Sequence, residues 1–402
     1  MSQLGYMEKL LDGVKVEWKS LDDIAIKISS GGTPSTGVAE YYDGNIPWLR
    51  TQEVDFDEIW DTGVKITESG LKNSSAKWIP ENCIIIAMYG ATVGKIGINK
   101  VPMTTNQACA NIHIDEKVAH YRYVFHFLYS QYEYIKSLGT GSQTNINAGI
   151  VKKLKIPTPP LNIQAEIVRI LDTFTELTAE LTAELTARQQ QYAYYREQLL
   201  TFGEGEVIWE KLEDVANFSN GKGHEKDIST DGRYVVVNSK FISTNGNAVK
   251  YSDKQICPLF INDILIVMSD LPNGKALAKT FFVEEDDKYT LNQRIGSITV
   301  KNNVNLLPKF LCYFLNRTPQ LLKYDDGASQ TNLRKGQIVG VRIPIPPLSE
   351  QERIVTILDK FDALTMSLTE GLPREIELRQ QQYEYYRDQL LSFPKPEVVA
   401  HD

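Results

Sequence analysis

Glycines set beside small hydroxyls, and carboxamides set beside cations, are the residues of this chain best equipped for chemistry. "SSGGTPST" (29–36) holds Gly31, Gly32, Thr33 and Ser35, a combination that lets backbone N–H groups approach a phosphate closely. The matching stretch "SNGKGHEK" (219–226) adds Lys222 and His224. "YGATVGKIG" (89–97) and "DLPNGKALA" (270–278) each place a Gly-Lys after an apolar run, bringing in Tyr89, Lys95, Asn273 and Lys275. Asn106 with Gln107, and Asn292 with Gln293 and Arg294, carry side chains that pair bidentately with adenine or guanine edges. "GSQTN" (141–145) supplies Ser142, Gln143 and Asn145, and "GASQTNLRK" (327–335) supplies Gln330, Asn332 and Arg334. Arg50, Thr51 and Gln52, with Asn238 and Lys240, complete the nucleic-acid candidates. Gly-Asn-Ser clusters also build ordinary turns, so each position has a purely structural reading too.

Catalytic constellations are missing. The chain has no GxxxxGK[ST] phosphate loop, no GxSxG elbow and no HExxH. An Asn- or Asp-Pro-Pro-aromatic loop of the kind an adenine methyltransferase uses is absent as well. His113, His120, His126, His224 and His401 form no ligand pattern, and the four cysteines show no CxxC spacing. That favours a binding protein with reduced cysteines, and the expected location is the cytoplasm. No apolar run approaches the roughly 20 residues of a membrane-spanning helix, and the first residues lack a signal-peptide layout.

The elements that position these residues come in duplicate. "RQQQYAYYREQLLTF" (188–202) returns as "RQQQYEYYRDQLLSF" (379–393). "IPTPPLNIQAEIVRILDTF" (156–174) matches "IPIPPLSEQERIVTILDKF" (343–361), and "VEWKSLDDIA" (16–25) matches "VIWEKLEDVA" (207–216). "YMEKLL" (6–11) also resembles "YREQLL" (195–200), as if a circle had been cut open. Apolar residues at Ile163, Ile167, Ile170, Phe174, Leu177 and Leu181 make a coiled-coil seam, repeated at Ile354, Leu358, Phe361, Leu364 and Leu368. Gly371 and Pro373 predict a break in the second helix. The net charge of −8 is unevenly spread: 157–206 and 344–402 each carry −5, whereas 1–156 carries −1 and 207–343 carries +3. The non-helical blocks are therefore free to hold a basic cleft.

The expected fold is α/β (α+β), with two similar globules separated by two long antiparallel coiled-coil helices in a pseudo-twofold circular repeat. The expected boundaries are a lead segment (1–15), a first globule (16–156), a central helical spacer (157–206), a second globule (207–343) and a distal spacer (344–402). The repeated helical surface, with Gln189, Tyr192, Tyr195 and Arg196 in one copy and Gln380, Tyr383, Tyr386 and Arg387 in the other, suits one partner docking twice.

The order of variable globule, helix opening on "PPLxxQ" (Pro159 to Gln164, Pro346 to Gln351) and repeated "RQQQYxYYRxQLL" resembles the specificity subunit of type I restriction-modification systems. "TAELTAEL" (178–185) is similar to the IC subgroup in particular. The resemblance covers essentially the whole chain. It implies that each globule is a target-recognition domain reading one half of a split, double-stranded DNA site. It implies that the helices set the gap and dock two methyltransferase subunits, which would bring S-adenosylmethionine, with two motor-nuclease subunits joining that core. This chain would itself hold no cofactor or metal and catalyse nothing. Adding one "TAEL" lengthens a helix by roughly 6 Å and turns it by about 40°. B-DNA turns about 35° per base pair, so one added unit is expected to widen the unread gap by about one base pair. Two alternatives remain open: a coiled-coil scaffold with two protein-binding globules, and a self-sufficient methyltransferase.

Overall fold

"CIIIAMY" (83–89) and "DILIVMS" (263–269) are too short for core helices and too uniformly apolar for half-exposed strands. Each forms the buried central strand of a sheet, Ile84–Ala87 in one case and Ile264–Val267 in the other. A computed structural model describes residues 10–139, 145–203, 205–224, 226–272, 274–367 and 370–394. Ser142, Gln143, Asn273, the seam position Leu368 and the first nine residues lie outside that set. The chain divides into two units, Met1–Glu180 with Ile376–Asp402, and Leu181–Glu375.

In the first unit, antiparallel pairing orders Ala25–Ser30, Cys109–Ile114, Ile84–Ala87 and Ile96–Asn99, and Glu58–Ile59 adds in parallel at the edge. The second unit repeats the plan with Ala216–Asn220, Ile295–Val300, Ile264–Val267 and Thr280–Phe282. Each unit also holds a four-stranded sheet containing one parallel pair, Trp48 opposite Thr104 in the first and Val236 opposite Thr290 in the second. Helix α1 (Tyr121–Ser130) packs its buried face into the first core. The 40-residue helix α2 (Leu161–Leu200) follows. In the second unit α3 (Pro308–Leu315) takes the place of α1, and α4 (Leu348–Thr365) begins the second long segment. Helix α5 (Gly371–Leu390) completes it after the predicted break.

The break has a local cause. Gly371 adopts φ +81°, and a Cβ there would lie 2.3 Å from the Ala363 carbonyl oxygen, so only glycine lets the chain pass this close to the last turn of α4. The seam is buried at Ile167, Ile170, Ile354 and Leu358, but Leu364, just before the break, is exposed. Phe174 stacks on Tyr386 in the first unit, and Tyr192 lies against Phe361 in the second, the order expected of antiparallel helices. The two helical spacers are thus shared between the units rather than forming bodies of their own.

Two devices hold each globule to its helix, and both occur twice. Glu17–Ser20 pairs with Lys155–Thr158, placing Trp18 opposite Pro157; Ile208–Lys211 pairs with Arg342–Ile345, placing Trp209 opposite Pro344. The entrance and exit of each globule are therefore clasped by main-chain hydrogen bonds. The glutamine of "PPLxxQ" is the second device. Gln164 is fully buried, accepts from the His120 N–H (2.8 Å) and donates to the Pro159 carbonyl (2.7 Å). Gln351 repeats this with the Leu307 N–H (2.8 Å) and the Pro346 (2.8 Å) and Asn305 (2.9 Å) carbonyls. A buried carboxamide satisfied on both sides fixes the helix start against the globule.

Candidate nucleic-acid interface

Just past the central strand of the second unit lies Met268, whose N–H donates to the Arg294 carbonyl (3.0 Å) and whose own carbonyl accepts from Leu333 N–H (2.7 Å). Asn292 N–H donates to the Val237 carbonyl (3.2 Å), and Lys222 N–H to the Leu291 carbonyl (3.2 Å). Ser269 pairs with Asn332, and Gln330 Nε2 donates to Ser269 Oγ (2.9 Å). Five chain segments thus converge on one end of the sheets: 220–222, 237–240, 268–272 with 274–275, 291–294 and 330–334. Lys222, Lys240, Lys275, Gln293, Arg294, Gln330, Asn332 and Arg334 are all exposed there.

The first unit gathers the equivalent five segments. Met88 N–H donates to Ala108 O (2.8 Å), Ile146 N–H to Met88 O (3.0 Å), Asn106 N–H to Leu49 O (2.9 Å) and Gly32 N–H to Thr105 O (2.9 Å). Its side chains are differently occupied. Arg50 pairs with Glu53 (3.2 Å), and Lys95 with Asp55 (2.5 Å) beside the Phe56 ring. Ser35, Gln52, Tyr89 and Gln107 face outward, with Thr33 Oγ1 hydrogen-bonded to Gln107 Oε1 and Thr51 receiving the Thr92 hydroxyl on its carbonyl (2.9 Å). Asn145 Oδ1 is buried with no hydrogen-bond partner among the described residues.

Several sequence candidates have a structural role instead. A Cβ on Gly31 would fall 2.0 Å from the Thr105 carbonyl oxygen and one on Gly32 2.3 Å from Ala76 N, so these glycines permit close backbone packing inside the globule. His224 is fully buried, its ring nitrogens held by the Lys222 carbonyl and the Thr290 hydroxyl, both at 2.8 Å, so it is withdrawn from the face. Asn238 Oδ1 caps the short helix Ser239–Ser243 through Phe241 N–H (2.9 Å). Asn106 and Asn292 turn their side-chain oxygens onto the N–H groups of Ala108 (3.1 Å) and Gln293 (2.6 Å). Lys77 and Trp78 were not singled out by the sequence, yet both are exposed: Lys77 directly follows Ala76, which abuts Gly32, and Trp78 opens the edge strand Trp78–Ile79. A lone Trp in a loop-rich stretch carries no motif that would have marked it.

The repeated helical segments are corrected more heavily. Tyr192 and Tyr383 are buried, not exposed, and burial pushes both phenols upward in pKa. Arg196 donates to the Tyr313 (2.8 Å) and Asn316 carbonyls, pinning α2 to the second globule. Arg387 lies over the rings of Tyr129 (5.2 Å) and Tyr383 (5.7 Å) and pairs with Asp388, while Tyr386 stacks on Phe174. These residues recur because each copy packs on the same spot of a globule. Gln189, Gln380 and Tyr195 remain exposed, joined by Tyr194 and Tyr385 at matching positions of the repeat.

Beneath those contacts lie buried polar networks that differ between units. Tyr383 OH meets His126 Nδ1 (3.0 Å), and His126 Nε2 meets Asp172 Oδ1 (2.8 Å); Arg122 adds bonds of 2.6 and 2.8 Å to the same carboxylate. A carboxylate at Nε2 fixes the proton there, leaving Nδ1 to accept from the tyrosine. Burial lowers the His126 pKa, keeping the ring neutral. Burial would raise Asp172, but the bonds from His126 and Arg122 outweigh it and hold the carboxyl low. In the second unit Tyr313 takes the place of His126 and contacts both Asp359 Oδ1 (2.6 Å) and Asp362 Oδ2 (2.9 Å). A phenol has one proton to give, so the two carboxylates compete for it, and burial raises the Asp362 carboxyl above its ordinary value.

Among the described residues, no group of His, Cys, Asp and Glu could hold a metal ion and no helix is long and apolar enough to cross a membrane. Residues 14–188 and 206–378 match the type I restriction modification DNA specificity domain. A type I restriction enzyme specificity subunit from Escherichia coli is 35% identical over 424 residues, covering 100% of both chains. The E. coli EcoprrI specificity subunit is 30% identical, over 92% of this chain and 93% of its own. The crystal structure of a type I restriction-modification S subunit from M. genitalium superposes with TM-score 0.60 at 16% identity, covering 97% of this chain and 99% of that one, which establishes a shared fold. Two matched domains, a doubled set of joints and loops that diverge on a constant frame lead to one conclusion: the chain belongs to the specificity subunits of type I restriction-modification systems, the non-catalytic components of those enzymes.

Proposed function

We propose that each unit reads one half of an asymmetric, interrupted DNA target through its five-segment face, and that the helices hold two methyltransferase subunits. The observation that carries this reading is the repetition of one main-chain frame with different side chains, which suits two different half-sites. Lys222, Lys275, Arg294 and Arg334 offer phosphate and guanine contacts in one unit; Gln52, Tyr89 and Gln107 offer neutral contacts in the other. Exposed Tyr194 and Tyr385, with Gln189 and Gln380, supply the same aromatic-polar surface twice, as two identical partners need. S-adenosylmethionine and adenine methylation then belong to those partners, and motor-nuclease subunits join through them. Co-expression with the cognate methyltransferase, followed by mapping of N6-methyladenine, tests the reading. One bipartite motif with a fixed gap is expected; a stable complex that adds no methylation would favour a scaffold instead.

A further inference from the structure

The turn following the central strand of the second unit is shaped by one carboxylate. Asp270 Oδ1 accepts from Leu271 N–H (2.9 Å), and Oδ2 accepts from Ala276 N–H (2.7 Å) and Leu277 N–H (3.1 Å). Gly274 N–H donates to the Leu271 carbonyl (2.9 Å), drawing the two arms of the turn together. A Cβ on Gly274 would lie 2.1 Å from Asp270 Oδ2, so the carboxylate fills the inside of the turn. All this organisation presents one apolar side chain to solvent: Leu271 is 67% exposed. Its surroundings are polar. Asp270 pairs with Thr331 and Ser269 with Asn332, a register that carries Leu271 to Gln330 with Asn332 two residues along that strand; Lys275 is on the far arm of the turn and Arg334 follows the paired strand.

From this geometry we infer that Leu271 is a specificity-determining residue that reads the 5-methyl group of a thymine in the major groove. The inference rests on the proposed DNA reading of the second unit. The donors and acceptors around it are of the kinds that discriminate base edges in the major groove, and the methyl is the one apolar group displayed there. The minor groove, about 6 Å wide, has no room for such a cluster. Preshaping matters because a leucine on a free loop would lose conformational entropy on contact, whereas Asp270 has already fixed the backbone. Asp270 is then a positioning residue, acting through the turn.

The test uses the full complex with its cognate methyltransferase, on synthetic duplexes of the mapped target. The half-site of the second unit is first identified as the one whose methylation relaxes in Arg334→Ala. Each thymine in it is then replaced by deoxyuridine, which removes only the methyl. At one position the unsubstituted protein should bind about fourfold more weakly, the amount expected for one buried methyl. Leu271→Ala should lose a similar factor on thymine DNA and ignore that same replacement. Asp270→Ala should lose the thymine preference although Leu271 is intact. A flat deoxyuridine scan, a half-site without thymine, or a Leu271→Ala protein that still prefers thymine overturns the inference. If Arg334→Ala is silent as well, the DNA reading of this unit falls with it; if Arg334→Ala relaxes the motif while the scan is flat, only the leucine assignment is lost.

Discussion

The end of the central strand in the first unit and the same place in the second share main-chain bonds and little else. Met88 and Met268 occupy one node, each with a carbonyl taken by the N–H after an Asn, Ile146 or Leu333. Around the first node the cations are spent on carboxylates, Arg50 on Glu53 and Lys95 on Asp55. Around the second, Arg294, Arg334, Lys222 and Lys275 stand exposed at the surface. A frame made of backbone bonds tolerates such divergence because it asks nothing of the side chains. The lesson is how far charge can diverge on one frame: the second unit keeps its cations exposed, whereas the first has engaged them with carboxylates.

The strongest challenge to a shared frame is its clamp. Gln164→Ala and Gln351→Ala should each destabilise by about 3 kcal/mol, since each strands a buried N–H and at least one carbonyl. Denaturation of the assembled complex should give similar losses; a large inequality would break the equivalence of the units. The faces should respond unequally. Arg334→Ala should cost about 1–3 kcal/mol of DNA affinity and relax one base position, whereas Arg50→Ala, whose charge is already engaged, should cost under about 1 kcal/mol. Methylation mapping and binding titrations read both.

The buried networks sharpen the comparison through pH. Asp172 is held low, so its stabilisation is present above the unfolded carboxylate range and is lost as pH falls through the folded value. Asp362 is raised, so its contribution has the opposite sign: complete in acid, and lost as pH rises through the folded value. Asp172→Asn should therefore cost about 1–2 kcal/mol near neutrality, while Asp362→Asn should be close to neutral or stabilising. Melting curves taken across pH decide it, and equal losses at pH 7 would refute the difference. The smallest effect is ionic. Removing Lys222 or Lys275 should lower the slope of log affinity against log salt by at most about 0.9 each, and Lys95→Ala should leave it unchanged.

Much of this was legible in the sequence. Repeats in one order at similar offsets revealed two globules and two helices, and Gly371 with Pro373 marked the break, because glycine and proline act through local backbone geometry. The seam was readable from its spacing. Which way the repeated tyrosines face was not, since Tyr192, Tyr194 and Tyr195 differ only in angle around one helix, and angle is settled by what the globule offers. His224 looked basic and available; its burial depends on Thr290, distant in sequence. The convergence of five loops was likewise hidden, because it is written in main-chain bonds that have no residue signature.

The paired joints have an evolutionary consequence. Each globule enters and leaves through the same two-stranded clasp and meets the same buried glutamine. It therefore behaves as a cassette in a standard holder. A recombination event that exchanges the coding stretch between the Trp-bearing strand and the Pro-Pro-Leu turn would keep every joint intact and replace only the globule between them. If the proposed DNA reading holds, a new specificity would come as a whole module, with the joints that fold it already in place.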